Sequence, residues 1–310
     1  MQLIVPGTDT AGAPPAIVTV GVFDGVHRGH RHLFEQLNAK ARELRMMSAV
    51  VTFTRHPLEV VGGRPAPLSL CSLPERLALM ATCGIDACVL LPFTASTAAM
   101  NAREFLEKLG SLVPLGAVMT GYNNSFGRKD HHRPDEAARL AGLPFFRAEP
   151  LEIEGHNVSS TLIRRLIADG EVHAAEPFLG RRHTVSGTVV EGRALGRTIG
   201  FPTANVQPEP ADIMLPADGV YACWASVDAN ATHSVPAVVN IGVKPTFGHQ
   251  AERTIEAHLL NTRADLYGHW MKLSFVKHLR PERKFADTDS LRRQIEADCR
   301  AAIIAIEQSI

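Results

Sequence analysis

The chain has 310 residues, and its 45% hydrophobic content is ordinary for a globular protein with at least one full core, so two domains are the better expectation. Its 32 Lys and Arg residues equal its 32 Asp and Glu residues, so no overall field attracts nucleic acid or an acidic membrane. We therefore expect no nucleic-acid partner and no membrane partner, and we leave self-association open. Any basic site should be local.

The cysteines and the N-terminal sequence indicate the cellular compartment in which the protein resides. The five cysteines form no CxxC pair, and their odd number fits reduced thiols better than a disulfide framework. The opening MQLIVPGTDTAGAPP lacks a basic stretch and a long apolar stretch, and no later run approaches the ~18 apolar residues of a membrane span. These features predict a cytoplasmic protein.

The first half of the chain alternates short apolar runs with helix-like segments. This alternation is typical of a parallel sheet with crossover helices. It predicts a doubly wound α/β domain over residues 1–180. In chain order the segments are AIVTV, HRHLFEQLNAKARELR, SAVVTF, PERLALMATCG, DACVLLPF, NAREFLEKLG, GAVMTG and RPDEAARLAGL.

The second half, residues 181–310, is rich in β-strand patterns separated by Gly, Pro, Asn and Asp. Several strands without helices between them favour an antiparallel barrel or a sandwich, and we predict a barrel. One amphipathic helix, SLRRQIEADCRAAIIAIEQSI, closes the chain. The strand segments are HTVSGTVVEG, GVYACWASVDA, HSVPAVVNIGV, RTIEAHLLN and HWMKLSFVKHL.

The stretch GVFDGVHRGH follows the first of these predicted strands and precedes a predicted helix. In a doubly wound sheet this turn is the usual phosphate-binding position, and Gly25 and Gly29 would let backbone amides approach an anion. His27 and His30 could then donate hydrogen bonds to phosphate oxygens. Helix capping, core packing and a weak zinc site are the alternatives for these histidines.

A second motif, SSTLIRRLIADG, places three hydroxyls just before a helical run. Ser159, Ser160 and Thr161 can satisfy free N–H groups at the helix start, and Arg164 lies about one turn later. The simpler interpretation is a plain helix cap with a solvated arginine. The alternative is a clamp for a triphosphate, made by hydroxyls, helix amides and one guanidinium.

Together these motifs resemble a known family. GVFDGVHRGH and VSSTLIR are similar to the adenylyltransferase module of the bifunctional riboflavin kinase/FAD synthetase family. The resemblance covers the chain from about residue 17 to about residue 300. Its second half carries the kinase segments in family order, namely GRTIGFPTANV, LPADGVYA, VVNIGVKPTFG, TIEAHLLN and DLYGHWMKLSF.

The resemblance implies two ATP-dependent reactions. The barrel would phosphorylate riboflavin to FMN, and the first domain would join FMN to AMP from a second ATP to give FAD and pyrophosphate. It implies that His27, His30 and Arg164 act in the adenylyl transfer. The nucleotide-binding residues of that domain would be Gly21, Phe23, Asp24, Gly25, Gly29, Asn123, Ser159, Ser160 and Thr161.

For the kinase, Thr203 and Asn205 in GFPTAN lie two residues apart and could face the same way on an extended chain. Mg²⁺ prefers oxygen ligands, and two neutral ones suffice beside phosphates and water. The resemblance makes Glu256 the general base, although an outward polar residue of a strand is the simpler interpretation. The ATP loop would comprise Gly196, Arg197, Gly200 and Pro202.

Two positions depart from the family pattern in the first half. Asn124 replaces an aromatic residue in GYNNSFG, and Thr54-Arg55 stands where an acidic residue and proline are common. The alternatives are therefore a riboflavin kinase with an inactive flavin-nucleotide-binding first domain, or a flavin-sensing protein without turnover. The small-molecule ligands expected in each case are riboflavin, FMN, FAD, ATP and ADP.

Overall fold

A computed structural model gives the fold of residues 1–309, and the structure described excludes residues 63–64, 123–125, 128–132, 193–195, 197–198, 229–233, 245–251, 261, 263–264 and 310. The chain packs as two compact units. The first comprises Met1–Pro67 and Leu73–Ser159, and the second comprises Leu68–Ser72 and Ser160–Ile310. Packing therefore divides the chain at residue 160, earlier than the domain boundary predicted at residue 180.

A six-stranded parallel sheet with helices forms the first unit. Its strands follow the order β1-β4-β3-β2-β5-β6. From β2 the chain adds β3 and β4 toward one edge of the sheet and β5 and β6 toward the other, so the strand order reverses between β2 and β5. The elements are β1 (Gln2–Ile4), β2 (Ala16–Val20), α1 (Arg28–Leu44), β3 (Met47–Phe53), α2 (Pro57–Val61), α3 (Leu73–Ala81), β4 (Ala87–Leu91), α4 (Ala95–Ala99), α5 (Ala102–Gly110), β5 (Leu115–Thr120), α6 (Pro134–Leu140), β6 (Phe145–Arg147) and the hairpin of β7 (Glu152–Ile153) and β8 (His156–Asn157).

Both faces of this sheet are covered, as a doubly wound fold requires. The central strand β2 is buried at all five positions, and alternate residues enter different cores. Helix α1 packs one apolar stripe, which includes Leu33, Leu37 and Ala41, against the core that also holds Ile17 and Val50. The predicted parallel sheet is confirmed.

The second unit contains a closed antiparallel barrel in the order β10-β13-β12-β11-β14-β9. Its interior is filled by alternate strand residues such as Val185, Val206, Ala225, Ile255 and Phe275. The predicted barrel and closing helix are confirmed. The elements are α7 (Ser160–Ala168), α8 (Val172–Leu179), β9 (Thr184–Val190), β10 (Ala204–Pro208), β11 (Gly219–Val227), β12 (Val235–Lys244), β13 (Glu252–Leu259), β14 (Trp270–Arg280) and α9 (Thr288–Glu307).

Two pieces from outside residues 181–310 belong to the barrel unit. Val172 of α8 lies in the barrel core, and the Ala217 N–H donates to the Ile167 carbonyl of α7 at 3.3 Å. Ser69 pairs with the stretch before β11, where its N–H donates to Asp212 and its carbonyl accepts from Met214, both at 2.8 Å. None of the helices in the described part of the chain has the length and apolar character needed to cross a bilayer.

Candidate active sites

The first candidate site is the connection between β2 and α1, which carries GVFDGVHRGH. It leaves the carboxyl end of β2, next to the point where the strand order reverses between β2 and β5. Ligands of doubly wound sheets bind at such a point because the two flanking connections diverge there. The fold therefore puts this motif where the sequence predicts it.

The backbone of this connection is unusual. Phe23, Gly25 and Val26 have φ values of 52°, 75° and 40°, around a short 3₁₀ turn at Asp24–Val26. For Phe23 and Val26, which carry side chains, a positive φ costs on the order of 1–3 kcal/mol each and has to be held by the surroundings. Gly21 makes room for that support, because a Cβ there would lie 2.8 Å from the Phe23 ring.

The two histidines meet at the start of α1. His27 is the N-cap residue, and its Nδ1 accepts a hydrogen bond from the His30 N–H at 3.3 Å. The two imidazoles stack at 3.6 Å between centroids, and the Phe23 ring packs edge-on against His30 at 5.3 Å. Helix capping, the alternative for these histidines, is thus observed for His27, which is only 3% exposed, whereas His30 is half-buried.

Gly29 lies between the histidines within the helix, where a side chain would not fit. A Cβ there would lie 2.9 Å from the Val158 carbonyl oxygen and 3.2 Å from His27 Nδ1. Asp24 is also buried, at 6% exposure. The predicted residues Gly21, Phe23, Gly25 and Gly29 therefore shape a compact histidine-bearing helix start.

Sequence reasoning missed Arg76, which supports this connection from α3. Its Nη1 donates to the Val22 carbonyl at 2.8 Å and its Nη2 donates to the Phe53 carbonyl at 2.6 Å. Thr52 Oγ1 also donates to the Val22 carbonyl, at 3.0 Å. The available signal was an arginine four residues before Met80 on the buried stripe of α3.

The hydroxyl motif is split by the division into units. Ser159 ends the first unit, and Ser160 and Thr161 begin α7 in the second. Arg164 follows one turn later, and its Nε donates to the Leu68 carbonyl at 2.8 Å. The predicted helix is confirmed, but Ser160 and Thr161 lie inside its first turn and only Ser159 precedes it. The assembly of these residues with the histidines stays a prediction.

Three predicted positions lie outside the described residues: Asn123, its neighbour Asn124, and Arg197 of the ATP loop. Their roles stay predictions. Among the described residues, no group of three or more His, Cys, Asp or Glu side chains could hold a metal ion. The zinc alternative for His27 and His30 therefore finds no further ligand in this part of the chain.

The second candidate site crosses three neighbouring strands of the barrel. Asn205 of β10 lies opposite Glu256 of β13, and Glu256 in turn lies opposite Asn240 of β12. Directly opposed residues have Cβ atoms about 4.5–5.5 Å apart. The ladder thus sets one carboxylate between two amides at a single level of the barrel.

Alternation along β13 determines which way Glu256 faces. Ile255, Ala257 and Leu259 are buried in the barrel, and Thr254, Glu256 and His258 are half-buried on its outer face. The predicted shared face of these three residues is confirmed. The carboxylate is therefore accessible to a substrate at the outside of the barrel wall.

Glycines bring the loop before β10 close to this face. A Cβ on Gly192 would lie 2.6 Å from Asn205 Cγ, and one on Gly196 would contact the Phe201 carbonyl and lie 3.4 Å from Thr203 Oγ1. Gly200 has a φ of 89°, which favours glycine. These three glycines allow the loop to fold against Thr203 and Asn205.

A cavity of about 620 Å³ opens beside this loop and has a size suited to a nucleotide. The Pro202 carbonyl at its edge lies 2.8 Å from His258 Nδ1. The cavity brings together the predicted Gly200, Pro202 and Thr203. Its other lining residues are Val189, Ala204, Ala257, Leu259, Thr262, Asp265, Leu266 and Tyr267.

The donor set around Asn205 fits a hard cation. Thr203 supplies a hydroxyl, Asn205 an amide oxygen, and Glu256 a carboxylate at the adjacent strand position. Oxygen donors of low total charge suit Mg²⁺, which keeps waters and substrate phosphates as its other ligands. Sequence reasoning missed two groups at this level, Asn240 and the Glu282 carboxylate, whose Oε1 accepts from Asn240 Nδ2 at 3.3 Å.

Comparison with known proteins identifies the family of each half of the chain. Residues 10–162 match the family model for FAD synthetase, and residues 179–305 match the one for riboflavin kinase. A crystal structure described as a macrolide-efflux protein from Streptococcus pneumoniae matches with a TM-score of 0.84 at 29% identity, covering 96% of this chain and 97% of that one. That description belongs to the streptococcal protein.

Relatives named bifunctional riboflavin kinase/FMN adenylyltransferase match almost end to end. The Escherichia coli K12 protein is 36% identical over 91% of this chain and 90% of its own length. The Bacillus subtilis protein is 31% identical over 93% and 92%, respectively. These relatives do not favour a flavin sensor or an inactive first domain. The chain belongs to the bifunctional riboflavin kinase/FMN adenylyltransferase family, whose two ATP-dependent activities phosphorylate riboflavin to FMN and adenylylate FMN to FAD.

Proposed function

We propose that Glu256 is the general base of the kinase reaction and that Thr203 and Asn205 hold Mg²⁺ beside the phosphates of ATP. The observation that carries this proposal is the strand register that sets Asn205 directly opposite Glu256. The carboxylate would take the proton of the riboflavin hydroxyl as the hydroxyl oxygen attacks the terminal phosphorus of ATP, whose bond to the bridging oxygen breaks to release ADP. When bound, Mg²⁺ would neutralise charge on the transferred phosphoryl group.

The loop before β10 would position the nucleotide. Gly196, Arg197, Gly200 and Pro202 precede the two oxygen donors in the sequence, and Gly200 and Pro202 line the cavity of about 620 Å³. Amide groups exposed by glycines suit phosphate oxygens because no side chain keeps the phosphate away. The half-buried position of Glu256 on the outer face supports access of the second substrate from outside the barrel.

In the first unit, His27 and His30 would act on a second ATP molecule. The FMN phosphate is already a nucleophile, so this reaction requires no general base. The imidazoles and the positive end of the α1 helix dipole would stabilise charge on the α-phosphate and on the departing pyrophosphate. Asn123, Ser159, Ser160, Thr161 and Arg164 would complete the nucleotide site.

We also propose that the two activities separate near residue 180. The match to the FAD synthetase model ends at residue 162, and the match to the riboflavin kinase model begins at residue 179. These limits support a functional boundary in this interval. Helices α7 and α8 would then serve the barrel by packing while α7 contributes its first residues to adenylyl transfer. The boundary of packing and the boundary of function would differ.

A crossed assay tests the residue assignments. Purified His30→Ala and Glu256→Ala proteins are each given riboflavin, ATP and Mg²⁺, or FMN, ATP and Mg²⁺, and FMN and FAD are separated by chromatography. We expect Glu256→Ala to slow FMN formation about 10²–10⁴-fold while still converting supplied FMN to FAD. His30→Ala should form FMN normally and lose FAD formation.

The assay has clear opposite outcomes. Near wild-type single-turnover FMN formation by Glu256→Ala would leave Glu256 as an outward strand residue without a catalytic role. Thr203→Ala and Asn205→Ala should weaken ATP affinity at fixed Mg²⁺ as well as the rate, whereas Glu256→Ala should change ATP affinity little. Equal ATP affinity in all three variants would contradict the metal assignment.

A further inference from the structure

Beyond these assignments, we propose that Arg76 is a positioning residue for adenylyl transfer. Arg76 is 8% exposed, and its guanidinium spans the carboxyl ends of β2 and β3 by donating to the Val22 and Phe53 carbonyls at 2.8 and 2.6 Å. A planar guanidinium can make two such bonds with fixed geometry, which a lysine ammonium cannot reproduce. The inference rests on the proposed role of His30.

The position of the first bond gives Arg76 its influence. The Val22 carbonyl belongs to the same planar peptide group as the Phe23 N–H, so fixing the carbonyl also fixes the plane from which Phe23 begins. Phe23 then adopts its left-handed conformation with a φ of 52°. Thr52 Oγ1 donates to the same carbonyl at 3.0 Å, so two donors hold this peptide in place.

Phe23 connects this peptide to the histidines. Its ring packs edge-on against His30 at 5.3 Å and against Phe34 at 5.0 Å. His30 in turn stacks on His27 at 3.6 Å. A rotation of the Val22–Phe23 peptide would therefore move the ring that supports His30, even though Arg76 itself would contact no substrate.

The alternative role for Arg76 is stability of the first unit alone. A matched control is Asn38, whose Nδ2 also donates to a backbone carbonyl, that of Cys83, at 2.9 Å. Asn38 lies in α1 of the same unit and contacts the turn after α3 rather than the connection after β2. Asn38→Ala should thus destabilise the unit without moving His30.

The experiment compares Arg76→Met, Arg76→Lys and Asn38→Ala in the full-length chain, at a temperature below all their unfolding midpoints. We expect Arg76→Met to lower kcat for FAD formation from FMN about 10- to 100-fold, with KM for FMN changed far less, because a misplaced group costs rate at the transition state. Arg76→Lys should lose about tenfold because it lacks the fork. FMN formation from riboflavin should be unchanged in all three.

A second measurement is independent of rate. The imidazole ¹⁵N–¹H signals of His27 and His30 should shift in the Arg76 variants and stay in place in Asn38→Ala. If Arg76→Met and Asn38→Ala lose kcat equally for equal losses of unfolding midpoint, Arg76 is only structural and the proposal is wrong. If Arg76→Met does not fold, Arg76→Lys decides, and turnover within about twofold of wild type would overturn the proposal.

His30→Ala separates this proposal from the proposed function. If His30→Ala retains FAD formation, the role assigned to His30 fails whatever Arg76 does. If His30→Ala loses it while the Arg76 variants keep both wild-type turnover and unshifted imidazole signals, only the positioning role is rejected.

Discussion

The two sites of this chain are built in different ways. In the first unit the histidines and the glycines lie on the connection after β2 and the first turn of α1, and Phe23 and Val26 of this connection hold positive φ values. In the second unit Asn205 and Glu256 lie on neighbouring strands whose hydrogen-bond ladder fixes their level. The connection needs support from side chains such as Arg76, whereas the strands are positioned by the barrel itself.

This difference predicts different weaknesses. A site on a connection should be sensitive to small local changes that leave the fold intact. A site on strands should keep its register as long as the barrel is folded, so it should fail when the barrel loses stability or when a new side chain directly displaces one of its groups. Changes to barrel stability test whether a site on strands depends on the fold. Changes to single glycines test how far each site depends on local contacts.

The largest effect should follow removal of α7 and α8 from the barrel unit. A fragment of residues 160–310 and a fragment of residues 181–310 should both form FMN and no FAD. The shorter one should lose on the order of 3–6 kcal/mol of unfolding free energy, because Val172 and Leu179, each 1% exposed, no longer cover the barrel. Urea unfolding of the two fragments measures this, and equal midpoints would make residue 180 a true folding boundary.

Acidification should weaken the barrel through His183. This side chain is fully buried, its Nε2 donates to the Met214 carbonyl at 2.7 Å, and burial lowers its pKa from 6.5 to about 4. The His183 imidazole takes up a proton near pH 6.5 in the unfolded chain and only near pH 4 in the folded chain. Stability present above pH 6.5 should therefore fall by up to about 3 kcal/mol as the pH drops from 6.5 to 4.

Tryptophan fluorescence can follow this loss in the intact chain. Both tryptophans of the sequence, Trp224 in β11 and Trp270 in β14, belong to the barrel unit. Urea midpoints at pH 7 and pH 5 should differ much less in His183→Gln than in the wild type. An equal difference in both proteins would assign the acid sensitivity to other groups.

Gly192→Ala tests the barrel site locally. Its Cβ would lie 2.6 Å from Asn205 Cγ, so the amide has to move and FMN formation should fall about 10²-fold, with weaker ATP binding. Conversion of supplied FMN to FAD is the internal control. In an Asn205→Ala background the same change should have little further effect, because the displaced group is gone. Additive losses would place the effect elsewhere.

The smallest effect compares two helical glycines of the first unit. Gly29→Ala should slow FAD formation about tenfold, because its Cβ would press on His27 and on the Val158 carbonyl. Gly110→Ala meets nothing within 4 Å and should raise stability by up to about 1 kcal/mol, without a change in rate. Equal rates of FAD formation in the two variants would show that the histidine pair tolerates displacement.

Periodicity explains what could be predicted from the sequence. Strands such as β2, β3 and β13 and helices such as α1 and α9 are long enough for their apolar repeats to identify them. The edge strands β1 and β6, with three residues each, are too short to show a period, and were not predicted. The face that Glu256 shares with Thr254 and His258 could be predicted because alternation requires only local sequence.

Contacts with the backbone explain what could not be predicted. Arg76 binds the carbonyls of Val22 and Phe53, and a carbonyl carries no residue identity that a pattern could match. Asn240 was not identified because its role depends on the pairing of β12 with β13. The residues that support the two sites are therefore less visible in the sequence than the residues proposed to act in them.

The pairing of Leu68–Ser72 with the barrel unit sets an order of assembly on the ribosome. Ser69 is synthesised well before Asp212 and Met214, the residues whose backbone it bonds. At synthesis rates of about 5–20 residues per second, the delay is on the order of 10 seconds. During that time residues 68–72 have no barrel to join, although the chain on both sides of them belongs to the first unit. The barrel unit is therefore completed by a segment that is synthesised long before its partners, and the bonds of Ser69 to Asp212 and Met214 form only after all of the first unit has been synthesised.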